Sequence, residues 1–175
     1  MIDIPSRFSV DNRPLNNKFE DDELLFMRFV SDDVDPAFGN RLPVGAIKFP
    51  DFSVNRGLYS QPTDVLIPNW IKHGIAELMV KNIPQPIPSG NENDKNRKTY
   101  EFKVEHDPVD INHPYYPKQG FENYAHSEIR VYKDGTHQKT EDRAKIPKTI
   151  KKLFRTYISD SASLVIIIDP APDAD

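Results

Sequence analysis

Residues 99–106 have the sequence "TYEFKVEH", in which apolar and polar side chains alternate. Such alternation is typical of a strand with one face in the core and the other toward water. The segment 126–132, "HSEIRVY", alternates in the same way, and the sequence at 133–135 favours a tight turn after it. The two segments therefore predict a pair of antiparallel strands, and this pair decides the fold class.

The remaining periodic segments add further strands and one clear helix. The run 162–169 is apolar and rich in β-branched residues, which predicts a central strand. The run 23–30 fits either a strand or a short helix, because a short apolar run does not fix the period. Pro147 begins the clearest helix, over 147–158, where apolar side chains recur at helical spacing.

This order of elements predicts an α+β domain in which few helices pack on one face of a mostly antiparallel sheet. A small β-barrel with one C-terminal helix is the alternative. The length of 175 residues fits a single domain over 1–175, because two domains would each lie close to the lower size limit. Within it we expect an N-terminal arm at 1–20, an exposed loop at 84–98 and a polar tail at 170–175.

Composition narrows both the chemistry of the chain and its location. There are no cysteines, which excludes disulfides, thiolate zinc sites and a cysteine nucleophile. The first residues lack the positive start and apolar run of a secretion signal. The longest apolar run, Leu164–Ile168, is far shorter than the roughly 20 residues that span a bilayer. These features predict a soluble cytoplasmic protein with no membrane partner.

Charge is unevenly distributed along the chain. The net charge is −4, but the segment 129–155 carries nine basic and three acidic residues. Such a segment can contact an anionic partner such as RNA or a nucleotide, or it can pair with acidic residues of the same chain.

The first candidate site is the face of the strand 126–132 that carries His126, Glu128 and Arg130 at alternate positions. His126 titrates near neutrality, and Glu128 can orient it or act as a base. Arg130 and Lys133 can hold a phosphate. These roles predict the catalytic residues of a metal-independent phosphodiesterase or ribonuclease. The alternative is a solvated face on which Glu128 and Arg130 form an ion pair.

Histidines near this face raise the question of a metal site. His106, His113 and His126 offer imidazole ligands, and Glu128 offers a carboxylate. The period of two, however, places His106 with the apolar residues of its strand and His126 with the opposite set. Their side chains should therefore diverge, and the spacing predicts neither a metal site nor a cofactor.

The second candidate site is "SVNRGLYSQP", residues 53–62. Arg56, Tyr59 and Ser60 precede a predicted helix, whose free amide groups favour an anion. They are therefore candidate residues for binding a ligand or a phosphate, together with Lys133. The segment lacks the Gly-Lys-Ser or Gly-Lys-Thr of a phosphate loop, and a plain turn with a capping serine is the alternative.

No motif in the chain identifies a reaction, and whether the protein is an enzyme stays open. The sequence favours an accessory or protein-interaction module. Its partner, another protein, would contact the proline- and tyrosine-rich insertion at 107–125 or the basic helix at 147–158. The alternative is a metal-independent phosphodiesterase or ribonuclease-like enzyme that uses the first candidate site.

Overall fold

The computed structural model describes residues 4–30, 34, 41–67, 73–90, 93 and 95–166, so the polar tail predicted at 170–175 lies outside the described residues. The strands are β1 (Leu24–Val30), β2 (Phe52–Arg56), β3 (His73–Met79), β4 (Ile87–Ser89), β5 (Lys98–His106), β6 (His126–Lys133), β7 (Thr136–His137) and β8 (Ser163–Ile166). The α-helices are α1 (Tyr116–Gln119) and α2 (Lys148–Ser161), and the short 3₁₀ helices include Val44–Ala46 and Pro62–Leu66. None of the described helices is both long enough and apolar enough to cross a bilayer.

The eight strands form one sheet in the order β4-β5-β6-β2-β1-β3-β8, with β7 paired to the end of β6. β5 and β6 pair antiparallel from Tyr100 opposite Lys133 to His106 opposite Ser127. This register confirms the strand pair predicted from the alternating segments. The end strands β4 and β8 do not pair with each other in the described part of the chain, so the sheet is open rather than a barrel. The fold is therefore the predicted α+β arrangement.

One face of the sheet, which we call the core face, holds the main hydrophobic core. Ile129 and Val131 of β6 are fully buried in it. Helix α2 covers this face, because its apolar residues recur along one side of the helix. Phe154 of α2 stacks on Phe102 of β5, with ring centroids 4.8 Å apart. Burial under α2 explains why every second residue of β5 and β6 is apolar.

The opposite face, which we call the polar face, carries the even-numbered residues of β6. At the β1 side, the 3₁₀ helix Pro62–Leu66 covers it by packing apolar side chains on Phe26. Near β6 the insertion 107–125 covers it, and the ring of Tyr115 contacts the ring of His126. These two segments therefore cover part of the polar face.

The N-terminal arm packs against the domain in its described part, from residue 4 onward. Phe8 is fully buried and stacks on Phe121 of the insertion, with ring centroids 6.2 Å apart. The backbone amide of Tyr124 donates to the Phe8 carbonyl at 2.9 Å. The Tyr124 hydroxyl donates to the Pro14 carbonyl at 2.6 Å. The arm therefore fixes the insertion that roofs the polar face.

Two segments differ from the sequence-based expectation. Ile87–Ser89, inside the loop expected at 84–98, forms strand β4 by pairing with β5. The apolar run expected to be a central strand forms β8, which lies at the end of the sheet in the described part of the chain. On one side β8 still has a neighbouring strand with buried residues, because it pairs with β3.

Candidate functional site

Strand β6 places four polar side chains on the polar face: His126, Glu128, Arg130 and Tyr132. His126 and Glu128 are buried, each with 5% exposure, whereas Arg130 and Tyr132 are partly exposed. The burial comes from the insertion 107–125, which passes over His126. The prediction that these residues share one face is confirmed, and that face is not solvated along its whole length.

Arg130 lies among three carboxylates, which we call the carboxylate cluster: Glu105, Asp107 and Glu128. Its Nη1 donates to Glu105 Oε2 at 2.7 Å, and its Nε donates to Glu128 Oε2 at 3.1 Å. Its Nη2 donates to Asp107 Oδ2. The Tyr132 hydroxyl donates to the second oxygen of Glu105. Three carboxylates around one guanidinium leave two negative charges uncompensated in this part of the face.

The carboxylate cluster shifts the pKa values of its members. Burial lowers the pKa of Arg130, but the hydrogen bonds and charges of the carboxylates outweigh burial and leave it raised. Burial raises the pKa of Glu105, but hydrogen bonds from Tyr132 and Arg130 outweigh that effect and leave it lowered. Burial and the bond to Glu105 raise the pKa of Tyr132 to about 12. Arg130 is thus a charged group whose three nitrogens all face carboxylates, which makes it a poor phosphate clamp.

His126 is a buried neutral imidazole, and one of its nitrogens lacks a partner. Its Nδ1 donates to the backbone carbonyl of Asp107 at 2.6 Å, so Nε2 carries the lone pair. Nε2 is buried and has no hydrogen-bond partner among the described residues. Burial lowers the pKa of His126 and thereby keeps the ring neutral. Because an unpartnered buried acceptor costs about 1–3 kcal/mol, this atom is a candidate for contact with a ligand.

Two residues of the insertion lie edge-on to the ring of His126. The ring centroid of Tyr115 is 5.6 Å away, and that of His113 is 5.7 Å away. Burial and the charge of Glu128 raise the pKa of Tyr115 to about 12, so its hydroxyl stays protonated at neutral pH. His113 Nε2 lies 3.3 Å from Asp107 Oδ2. The insertion thus adds a second imidazole beside the carboxylate cluster.

A cleft with a volume of about 220 Å³ opens on the polar face beside His126. Asn55 and Asn123 line it, and the side-chain amide of Asn123 donates to Asn55 Oδ1 at 2.9 Å. Tyr115 and Phe121 line the side formed by the insertion. The cleft therefore has both polar and aromatic walls.

Five charged residues line the cleft, and three of them are basic. Lys48, Lys118 and Arg28 line it together with Asp51 and Asp64. Asp64 accepts two hydrogen bonds from an arginine of the N-terminal arm, and Asp51 accepts one from a histidine of β7. Burial lowers the pKa of Lys48, and the positive charges of Lys118 and Arg28 lower it further. The lining therefore carries three basic and two acidic side chains, and one of the acidic ones, Asp64, is already paired with an arginine.

These features define a carboxylate cluster, a neutral histidine and a cleft with a basic lining on one face of the sheet. No known protein family, curated protein or solved structure matches the chain. The function is therefore argued from this geometry.

The second candidate site, Arg56, Tyr59 and Ser60, does not line the cleft. Arg56 is fully buried, and its guanidinium donates to both oxygens of Glu23 at 2.7 Å. Ser60 Oγ donates to the Arg56 carbonyl at 2.9 Å. The Tyr59 hydroxyl accepts a hydrogen bond of 2.7 Å from the Asn16 side chain. The polar groups of these three residues are used to hold the N-terminal arm and the turn after β2.

His106 has a structural role away from the polar face. It lies opposite Ser127 in the sheet, which confirms that it is on the other face from His126. Its Nε2 donates to the Tyr124 carbonyl at 2.6 Å, and its Nδ1 accepts from the Asn16 amide at 3.0 Å. Both ring nitrogens are therefore occupied by protein groups.

No site role was predicted for Lys48 from the sequence, and Asp107, Tyr115 and Lys118 were marked only as parts of the insertion 107–125. Asp107 directly follows β5, and its amide donates to the His126 carbonyl at 3.1 Å. The predicted pairing of the two strands could have identified Asp107. Extending the register by one residue beyond the pair of His106 and Ser127 places Asp107 opposite His126. For the two lysines no local signal exists, since they come from separate connecting segments. Lys133, a predicted phosphate-binding residue, lies at the end of β6 and does not line the cleft.

Two buried neutral histidines make the stability of the protein depend on pH. Burial is the main cause that lowers the pKa values of His106 and His126 below their usual 6.5. The unfolded chain therefore binds protons at a higher pH than the folded chain does. We expect the free energy of unfolding to be unaffected by these groups above about pH 6.5 and to decrease as the pH falls below it.

Urea unfolding at several pH values between about 7.5 and 5.5 measures this dependence. The variant His126→Gln removes one of the two groups, so its free energy of unfolding should vary less with pH. Identical pH dependences in the wild type and in this variant would show that His126 binds protons equally in both states.

Proposed function

We propose that this chain is an accessory module that binds a small phosphate-bearing molecule in the cleft of the polar face. The supporting observation is the pair of ammonium groups of Lys48 and Lys118, which line the cleft without a carboxylate partner among the described residues. Both side chains are exposed, but the positive charge of Lys118 contributes to lowering the pKa of Lys48, which shows that the two ammonium groups repel each other. A bound anion removes this repulsion and gains charge-assisted hydrogen bonds from both side chains.

The surroundings restrict where the phosphate lies and how large the ligand is. The carboxylate cluster repels an anion, so the phosphate lies at the lysine end of the cleft rather than beside Arg130. Phe26 and Phe121 supply apolar lining for the rest of the molecule. The volume of about 220 Å³ is below the roughly 300–1,000 Å³ of typical ligand pockets, which favours a small ligand.

Replacing either lysine by glutamine should weaken phosphate binding about tenfold, because each variant removes one charge-assisted hydrogen bond. Isothermal titration calorimetry with inorganic phosphate at low salt measures the affinity. Lys133→Gln is the matched control, since Lys133 was predicted from the sequence to bind phosphate but does not line the cleft. Equal affinities in the wild type, Lys48→Gln and Lys118→Gln would overturn the proposal.

The second candidate function is acid–base catalysis on a phosphodiester in the same cleft. It is favoured by the position of His126, a neutral imidazole in the cleft lining, next to the carboxylate of Glu128. In this mechanism Lys48 and Lys118 hold the phosphate, which is the role that the sequence analysis assigned to Arg130. Turnover of bis(4-nitrophenyl) phosphate that is lost in His126→Ala and in Glu128→Gln would favour the enzyme over the binding module. Equal turnover in the wild type and both variants would exclude it.

Contact with another protein through α2, or with RNA or a nucleotide through 129–155, stays a prediction, as does the cytoplasmic location. Leu153 and Tyr157 support the first, because they lie one turn apart on α2 with 52% and 44% exposure. Against a polyanion partner, some basic groups of this segment already pair within the chain, as Lys145 does with Asp142 at 3.0 Å. A pull-down in which Leu153→Ser retains every partner of the wild type would exclude α2 as the docking element.

A further inference from the structure

We propose that Asp107, His113 and His126 form a binding site for a divalent transition-metal ion beside the cleft. One side-chain ligand atom from each residue lies within 4.8 Å of the other two. Two imidazoles and one carboxylate are the ligand set of many zinc and non-haem iron sites, in which further positions stay open for water or substrate. The inference concerns the ion alone and does not depend on phosphate binding in the cleft.

His126 has the hydrogen-bonding pattern of a metal-ligating histidine. Its Nδ1 donates to a backbone carbonyl, that of Asp107, at 2.6 Å. A bond of this kind fixes the orientation of the ring and leaves Nε2 as the free ligand atom. Nε2 has no partner among the described residues, although His126 is only 5% exposed. A metal ion accounts for an atom whose burial is otherwise unfavourable.

The other two ligands are also held in place by neighbouring groups. Asp107 Oδ2 accepts a hydrogen bond from Arg130, and ligating carboxylates commonly accept such a second bond. His113 Nε2 lies 3.3 Å from the same oxygen, and it carries the ring proton, because Nδ1 accepts from the Tyr115 amide at 3.1 Å. Binding an ion through Nε2 therefore moves this proton to Nδ1 and replaces both the contact with Asp107 and the bond from the Tyr115 amide. The side chains of these two residues are 13% and 27% exposed, so the site is shielded but open to an entering ion.

The charge of the surroundings favours a divalent cation. The carboxylate cluster holds Glu105, Asp107 and Glu128 around the single guanidinium of Arg130. The three carboxylates exceed the one guanidinium by two negative charges, which a divalent ion neutralises. The same charge disfavours an anion at this position, so the metal ion and the proposed phosphate occupy different parts of the polar face.

The ligand set differs from the one considered in the sequence analysis. That set combined His106, His113 and His126 with Glu128, and His106 lies on the other face of the sheet. In the set proposed here Asp107 takes the place of His106 and Glu128, and it comes, like His113, from the insertion, which folds back over β6. The alternation of residues along the two strands therefore placed only one of the three proposed ligands, His126.

Calorimetric titration of the metal-free protein with Zn²⁺, in the absence of phosphate, tests the proposal. We expect about one equivalent of Zn²⁺ to bind, and we expect His113→Ala and Asp107→Asn each to weaken binding by at least tenfold. His113→Ala is the main variant, because His113 lies in a turn of the insertion and its removal leaves the sheet intact. Thermal unfolding of each variant without metal shows whether it is folded.

His137→Ala is the matched control, since His137 also pairs with an aspartate, Asp51, at 3.0 Å but lies outside the ligand set. The control should bind Zn²⁺ as the wild type does. Absence of saturable Zn²⁺ binding, or binding that His113→Ala and Asp107→Asn leave unchanged, would overturn the metal site. Either result would leave phosphate binding through Lys48 and Lys118 untouched, so the two proposals fail separately.

Discussion

Replacing Arg56 by methionine should lower the free energy of unfolding by about 4 kcal/mol, because a buried charge, Glu23, would lose its partner. Arg56 is fully buried and Glu23 is 8% exposed. The guanidinium also donates to the backbone carbonyls of Asn16 and Lys18. It stacks on Phe19, with its central carbon 3.8 Å from the ring centroid. One side chain therefore holds three residues of the N-terminal arm, together with Glu23, against β2.

Urea unfolding of the variant and the wild type measures this loss. Arg41→Met is the control, since Arg41 forms an ion pair of 2.8 Å with Asp160 but both side chains are exposed. That variant should change the free energy of unfolding by no more than about 0.5 kcal/mol. The double variant Arg56→Met with Glu23→Leu should recover part of the loss, because it leaves no unpaired charge. A loss below about 1 kcal/mol in Arg56→Met would contradict a structural role for this arginine.

Replacing Arg130 by methionine should lower the free energy of unfolding by about 3 kcal/mol at neutral pH, because three carboxylates would then face one another without a cation. The loss should shrink as the pH falls towards about 4, since protonation of the carboxylates removes the repulsion. In the wild type Arg130 keeps the pKa of Glu105 low, so the carboxylate that it stabilises is charged at neutral pH. Unfolding experiments at both pH values measure the difference between the variant and the wild type.

The control for Arg130 lies directly opposite it in the sheet. Lys103 is its cross-strand neighbour in β5 and is 51% exposed, with its ammonium 2.9 Å from Glu101. Lys103→Met should change the free energy of unfolding by no more than about 0.5 kcal/mol. A loss in Arg130→Met that stays constant from neutral pH to about pH 4 would argue against carboxylate repulsion as its cause.

Local sequence patterns predicted those parts of the fold that depend on burial of one face. β5 and β6 alternate because α2 covers one face of both, and α2 itself repeats its apolar residues at helical spacing. β4 gave no such pattern, because it is a three-residue edge strand in a proline-rich segment. The position of β8 at the end of the sheet, as far as the described residues show it, was not predictable either, because an apolar run suggests a central strand, whereas Val165 of β8 is 41% exposed.

Only the part of the candidate site that lies on strand β6 could be predicted from the sequence. Alternation placed His126, Glu128 and Arg130 on one face, and the structure confirms that placement. The burial of that face depends on contacts between distant segments, which no local pattern encodes. The same holds for Arg56, whose partner Glu23 lies on the far side of β1 in the sequence. A polar residue in a turn gives no sign of whether it binds a ligand or a distant part of its own chain.

The central claim is that the cleft on the polar face is a ligand-binding site, and mapping phosphate on the protein by nuclear magnetic resonance tests it most directly. Backbone amide signals are followed while inorganic phosphate is added to the isotope-labelled wild type. We expect saturable shifts that centre on Lys48, Lys118 and Asn55, which line the cleft. Shifts that centre instead on the basic residues of α2, or no saturable shift at all, would contradict it.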